Sequence, residues 1–282
     1  MSRLRNYIGR RETERHPLDK STSWHGYHQI AMSDHHYQLA SRTLVVLPTY
    51  NEAANLEALI DQIQSSFPGV HIYVVDDNSP DGTGKLADSL AEKSSLVHVE
   101  HRPAKLGLGT AYRFAFTQPI ISFFDYIVQM DSDFSHEPCE IPKIVNELSA
   151  NMDFVIGSRY VLGGSIPNWS IGRKLLSRFG NYYIRFMMGV PIADCTSGYR
   201  GFTQKSLKSL NVLSVKGEGY IFIAAMAKAG YDKALKMKEI PITFNDRAAG
   251  KSKMSNRIIA ESLFLATKFG IQRVFHRNRD NK

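Results

Sequence analysis

The stretch Thr43 to Asp77, TLVVLPTYNEAANLEALIDQIQSSFPGVHIYVVDD, decides the fold. Leu44-Val45-Val46-Leu47 is a short apolar run halted by Pro48, after which Leu56, Leu59, Ile60, Ile63 and Phe67 recur at helical spacing. Asn51 is the expected N-cap of that helix. Pro68-Gly69 is its expected end, before a second apolar run, Ile72-Tyr73-Val74-Val75, that enters Asp76-Asp77. The unit repeats downstream. Tyr126 to Met130 leads into Asp131, a helical pattern runs through Ile141, Ile144, Val145 and Leu148, and Phe154-Val155-Ile156 precedes Gly157-Ser158-Arg159. Near-continuous apolar strands alternating with amphipathic helices predict an α/β fold, its sheet mainly parallel and covered on both faces.

Ligands of such sheets bind beyond the carboxyl ends of the strands. Polar residues concentrate there: Pro48-Thr49-Tyr50-Asn51-Glu52, Asp76-Asp77-Asn78-Ser79, Asp131-Ser132-Asp133 and Ser158-Arg159. Asp131 and Asp133 stand two apart at the end of an extended segment, so both carboxylates can face one side and share a hard cation. Capping of the helix that starts near Pro138 is the competing role. Asp77 is equally open, either to a base or ribose or to the turn Asn78-Ser79-Pro80-Asp81-Gly82. Lys105-Leu106-Gly107-Leu108-Gly109-Thr110 has the look of a phosphate loop at a helix start, without the P-loop spacing.

The chain has 282 residues, 43% of them apolar, enough for a sizeable core. Its 35 basic and 27 acidic residues leave a formal charge of +8, which favours anionic partners without choosing among them. The longest charge-free run, Gln62 to Val75, is 14 residues and is broken by Pro68-Gly69, whereas a spanning helix needs about 20. Cys139 and Cys195 are the only cysteines, which argues against a disulfide framework or structural zinc and for a reducing cytosol. Residues 1–42 hold five of the ten histidines without apolar periodicity and are expected to form a polar, mobile extension; residues 43–282 are expected to form one domain. The N-terminus lacks a signal-peptide pattern.

Cations dominate the second half. Arg159, Arg173, Arg247 and Lys253 lie in polar or Gly-containing segments suited to phosphate recognition. Between Ile171 and Met188 the helical step puts Leu175, Phe179, Tyr182 and Phe186 on one side and Lys174, Arg178 and Arg185 on another. Arg173 and Ser177 share a third edge, where they could grip one anion. Packing in a core and docking on a membrane surface both suit this helix, as they do the apolar segment Ile258–Phe275.

In order along the chain, LPTYNE (47–52), VVDDNSPDGTG (74–84), KLGLGTAY (105–112), MDSDFSHEP (130–138), GSRYVLGG (157–164), RKLLSRFGN (173–181), DCTSGYRGF (194–202) and ITFNDRAAGKSKMS (242–255) resemble the dolichyl-phosphate or polyprenyl-phosphate mannose synthases, family 2 glycosyltransferases of the GT-A fold. The resemblance implies a Rossmann-like GT-A sheet with interface helices near 171–189 and 254–276. It implies transfer of mannose from GDP-mannose to a polyprenyl monophosphate, with inversion and with Mg²⁺ or Mn²⁺, at the cytosolic face of a membrane. Pro48, Tyr50, Glu52, Val75 and Asp77 would line the guanosine pocket. Asp131, Ser132 and Asp133 would hold the metal and the donor diphosphate. Arg159, Arg247 and Lys253 would meet phosphate groups near the reaction centre, and Arg159, Arg173 and Ser177 the acceptor phosphate. Asp131, Asp133, Arg159 and Arg247 are thus the expected catalytic residues. Some relatives have a metal-contacting Gln where this chain has Ser135. Some continue into transmembrane helices, so a chain stopping at Lys282 implies peripheral docking or a separate membrane subunit. Asp194 would orient the sugar or shape a turn.

A phosphate monoester has its second pKa near 6, so the acceptor is largely dianionic at pH 7 and needs no general base. Repulsion between two anions is the obstacle, and the cation and the arginines would relieve it. A glucosyl or GlcNAc transfer from a UDP-sugar to the same lipid is the alternative. A polysaccharide synthase would show QxxRW, yet neither Trp24 nor Trp169 follows an arginine. A nucleic-acid module would interleave aromatics with a basic stripe, so nucleic acid is not an expected partner.

Overall fold

The computed structural model describes residues 34–246 and 263–272. The chain divides into two units, 1–36 and 37–282. Of the first, residues 34–36 are described, and they are helical. The second is built on seven strands: β1 (Thr43–Thr49), β2 (His71–Asp76), β3 (Val97–His101), β4 (Tyr126–Gln129), β5 (Phe154–Ser158), β6 (Arg200–Thr203) and β7 (Met237–Pro241). They lie in the order β3-β2-β1-β4-β6-β5-β7. Strand β6 runs antiparallel to both neighbours, β4 and β5, and every other pairing is parallel, so the sheet is mixed and mostly parallel.

Among the described residues it is covered by α1 (Leu56–Ser66), α2 (Thr83–Lys93), α3 (Leu108–Thr117), α4 (Ile141–Ser149), α5 (Ile171–Met188), α6 (Gln204–Leu210) and α7 (Gly219–Asp232). Residues 263–272 form a further helical segment. Alternation along the strands divides the core. Leu44, Val46, Val75, Phe154 and Ile156 face the layer of α3, α5 and α7, whereas Val45, Leu47, Val74, Val128 and Val155 face α1, α2 and α4.

Two sequence expectations need correction. Asn51 does not cap α1: it sits at φ 57°, and the helix begins at Leu56, behind Asn55. The intervening loop is held by other partners, since the amides of Glu52 and Ala53 donate to Thr83 Oγ1 and Asp81 Oδ2. The polar extension also ends earlier than residue 42. Leu39 and Ala40 are 4% and 0% exposed and belong to the core around β1 and α1, because short apolar side chains in a polar sequence still gain from burial.

At the other end of the strands, His71 Nδ1 and His98 Nε2 lie 3.0 Å apart in a part-buried stack against Phe124. Burial, then the neighbouring His98, pushes His71 down to about 4, and burial lowers His98. The unfolded chain therefore takes up protons below about pH 6.5 that the folded chain refuses until about pH 4. Stability is full above the upper limit and is expected to fall as the pH drops through that window. Thermal unfolding at pH 7 and pH 5 measures this, and His71→Gln should reduce the difference.

Candidate active site

The first two strand ends are pinned by acids with separate tasks. Asp76 shapes the turn: its carboxylate accepts from Thr49 Oγ1 (3.0 Å), Ser79 N (3.0 Å) and Ser79 Oγ (2.6 Å). Asp77 is thereby left for something else, and Arg102 Nη1 donates to it at 2.7 Å, both groups buried. Burial raises the Asp77 carboxyl, while Arg102 holds it down in part. Arg102 Nη2 in turn donates to Thr110 Oγ1 (2.8 Å). Among the other expected nucleotide residues, Tyr50 lies under Lys105 Nζ (4.1 Å to the ring centroid) and Pro48 O accepts from Ser132 Oγ (2.9 Å). Buried Glu52 accepts from Asn55 Nδ2. Val75 is fully buried in the core and paired to β1 on one side and β3 on the other, so it presents no exposed surface to a ligand.

The Gly-rich turn at 105–110 does open a helix, with Gly107 at φ 101° before α3. It is not an open phosphate cradle, because Glu218 Oε2 already accepts from Thr110 N (3.1 Å). A carboxylate supplies the negative charge that the helix N-terminus favours.

Beyond β4 the chain leaves extended geometry. Asp133 Oδ1 accepts from Ser135 N (3.1 Å), and Phe134 is forced to φ 61°, a strained conformation for a bulky residue. His136 folds back so that its Nδ1 accepts from Asp131 N (3.3 Å). Burial pushes this imidazole down to about 4, against the pull of Asp133, so at pH 7 it is neutral with its proton on Nε2. Neither Asp131 nor Asp133 caps the following helix, whose N-cap is Glu140.

The loop fits a divalent cation. Asp131 and Asp133 offer hard carboxylate oxygens of the kind Mg²⁺ and Mn²⁺ take. Gly198 leaves space against Asp131, since a Cβ there would stand 3.3 Å from Asp131 Oδ2. Buried Ser135 Oγ has no hydrogen-bond partner among the described residues, so a polar atom is available beside the carboxylates.

Arg159 follows β5 and is 7% exposed. Its Nε and Nη2 donate to both oxygens of fully buried Asp194 (2.7 and 2.8 Å), and Nη2 also to Thr196 Oγ1 (2.7 Å). Burial works against both charges, yet each partner outweighs it, lowering the Asp194 carboxyl and raising the guanidinium. Asp194 therefore supports Arg159 directly. Among the described residues Nη1 has no hydrogen-bond partner and is the donor left for a phosphate.

Helix α5 starts at the cap of Ser170, whose side chain accepts from Arg173 N. Ser177 Oγ shares a hydrogen with Tyr160 OH (2.7 Å), which ties the helix to the Arg159 loop. Arg173 stacks on Trp169 (3.7 Å) and donates to Asp246 Oδ1 (2.8 Å). Outward, Ile171, Leu175, Phe179, Tyr182 and Phe186 are each more than 60% exposed, continued by Phe264 and Ile271 of the segment 263–272. Arg247, Lys253 and most of the expected second interface helix lie outside the described residues. No helix among the described residues is long and apolar enough to cross a membrane.

Arg102, Tyr160, Trp169, Thr196 and Gly198 also shape this end of the sheet. Their isolated positions in the sequence give no periodic signal; Thr196 and Gly198 alone lie inside a motif string that also carries a named acid, Asp194.

Comparison with known proteins identifies the family and the fold. The Glycosyl transferase family 2 profile matches residues 44–210. The polyprenol monophosphomannose synthase of Mycolicibacterium smegmatis is 42% identical over 82% of this chain and 88% of its own. The undecaprenyl-phosphate mannosyltransferase of Micrococcus luteus is 38% identical over 82% of this chain and 94% of its own. Among solved structures, a glucosyl-3-phosphoglycerate synthase from Mycobacterium tuberculosis in complex with UDP superposes with a TM-score of 0.61, at 19% identity, over 92% of this chain and 87% of its own. With the family profile spanning the strands that carry the acidic loop and Arg159, and two relatives of 42% and 38% identity covered along most of their length, the chain belongs to glycosyl transferase family 2.

Proposed function

We propose that the protein transfers mannose from GDP-mannose to a polyprenyl monophosphate, inverting the anomeric centre, as a peripheral enzyme on the cytosolic face of a membrane. One observation carries the reading. The acidic loop Asp131–Asp133 and Arg159 share one end of the sheet with a helix whose first turn bears Arg173 and whose outer face is apolar. The printed names of the two relatives, a polyprenol monophosphomannose synthase and an undecaprenyl-phosphate mannosyltransferase, support the same chemistry.

In this reading Asp77 and Glu52 receive hydrogen bonds from the guanosine and Tyr50 lies beside it. Asp131 and Asp133 hold a divalent cation, which supplies positive charge to the donor diphosphate. Ser132 and Arg159 Nη1, with Arg247 and Lys253, meet phosphate oxygens. Arg173 and Ser177 fix the lipid phosphate. One of its oxygens bonds to C1 of mannose as the bond from C1 to the diphosphate breaks, the electron pair leaving on GDP. The dianion carries no proton that must be removed, so no side chain acts as base. Meanwhile the exposed apolar arc of α5, flanked by Lys174, Arg178 and Arg185, lies in the headgroup region of the membrane.

Labelled GDP-mannose, UDP-glucose and UDP-GlcNAc, each incubated with polyprenyl phosphate and extracted into organic solvent, test the donor. Lipid label is expected from GDP-mannose alone, label from a UDP-sugar would replace the donor, and none at all would refute lipid transfer. Arg173→Ala is expected to raise the KM for the lipid about tenfold or more, the range of a charged hydrogen bond, with the KM for GDP-mannose unchanged. Steady-state kinetics with each substrate varied decides it; equal losses contradict the acceptor role.

A further inference from the structure

We propose that Asp246 is a built-in competitor for the acceptor phosphate, holding Arg173 until the lipid displaces it and reclaiming Arg173 as the product leaves. The inference rests on the acceptor role proposed for Arg173. It concerns a residue that the reading leaves without a task.

Arg173 is held in two ways. Its guanidinium lies on the indole of Trp169, 3.7 Å from the ring centroid, and Trp169 is itself fixed edge-on against Phe244 (5.8 Å, 86°). The stacking leaves the guanidinium edge for hydrogen bonds, and Asp246 Oδ1 takes Nη1 at 2.8 Å. Both side chains are about half exposed, 53% and 43%, so water can replace either partner and the pair is exchangeable.

Asp246 is nevertheless not a loose surface acid. The residues before it are bonded on two sides: Phe244 N donates to Ser165 O (2.9 Å), Asn245 N to Ser135 O (3.0 Å) and Asn245 Nδ2 to Glu137 Oε1 (3.0 Å). This short stretch thus fixes a carboxylate at Arg173 from the acidic loop that carries Asp131 and Asp133. A carboxylate and a phosphate present the same paired oxygens to a guanidinium. An anion that needs Nη1 of Arg173 must displace Asp246 from it.

Competition of this kind has a signature. It weakens every ligand that needs Arg173 by the same factor, dianionic acceptor and monoanionic product alike. Simple repulsion from a nearby carboxylate instead scales with the charge of the ligand. The equal factor costs the tightly held acceptor little occupancy, and it frees the weaker diester product.

Asp246→Asn removes the competitor and keeps the size of the side chain. Calorimetric titration at pH 7.5 with farnesyl phosphate, a dianionic monoester, and methyl farnesyl phosphate, a monoanionic diester, measures both affinities without any sugar transfer. Both are expected to tighten by one common factor of about twofold to fivefold, the range for an exposed ion pair, and Asp246→Glu to restore the original values. A gain larger for the monoester than for the diester, no gain, or weaker binding of either probe would overturn the proposal while leaving the transferase reading standing. If the unaltered protein bound neither probe, both would fall.

Discussion

Asp133→Asn is expected to lower mannosyl transfer by at least about a hundredfold while leaving the unfolding transition nearly where it was. Loss of one group that stabilises developing charge at a reaction centre costs on that order. The structure changes how this variant must be chosen. A ligand exposed at a strand end would carry little packing, and its replacement by alanine would spare the fold. Asp133 is instead 5% exposed, and its Oδ1 takes the amide hydrogen of Ser135 at 3.1 Å. Alanine would leave that buried donor unsatisfied, at about 1–3 kcal/mol. Asparagine keeps the accepting oxygen and removes only the charge, so a rate loss can be assigned to the site. Initial rates in Mg²⁺ and Mn²⁺, with Mn²⁺ binding followed by electron paramagnetic resonance, measure it. Unchanged turnover and unchanged Mn²⁺ affinity would overturn the assignment of Asp133 to the cation.

Asp194→Ala should produce the largest loss of stability, about 3–5 kcal/mol, because it leaves Arg159 buried and charged without its counterion. For a chain of this size that lowers the thermal midpoint by roughly 10 °C. A second variant separates folding from chemistry. Arg159→Met combined with Asp194→Leu replaces the pair by apolar groups of similar size, which is often neutral for a buried ion pair. It is expected to regain most of the lost stability and none of the transfer, since Nη1 of Arg159 is gone. Thermal unfolding and lipid-transfer assays on both variants test this, and an active double variant would show that Arg159 serves only the fold.

Much of the candidate site was legible because its acids and the residues proposed to face the nucleotide follow apolar strands. A reader of the sequence finds Asp77, Asp131 and Arg159 wherever such a run stops. What could not be read were the roles. Asp76 and Asp77 are adjacent and chemically identical, and only the folded chain shows that Asp76 shapes the turn while Asp77 pairs with Arg102, 25 residues on. The loop at 105–110 looked available to phosphate until Glu218, 108 residues away, proved to occupy it. Asp194 could as well have been a turn residue, and its partner Arg159 stands 35 positions earlier.

By itself the sequence determined the kind and order of β1, α1, β2, β4, α4, β5 and α5, and which residues stand at the ends of those four strands. Those follow from period-two and period-3.6 patterning and from Pro, Gly and Asn punctuation, all of which act over a few residues. Tertiary structure alone decided that β6 inserts antiparallel between β4 and β5, that Asp194 supports Arg159, and that Asp246 reaches Arg173. Each is a pairing between groups far apart in the chain. Its free energy depends on burial and on the exclusion of water that only the assembled fold provides.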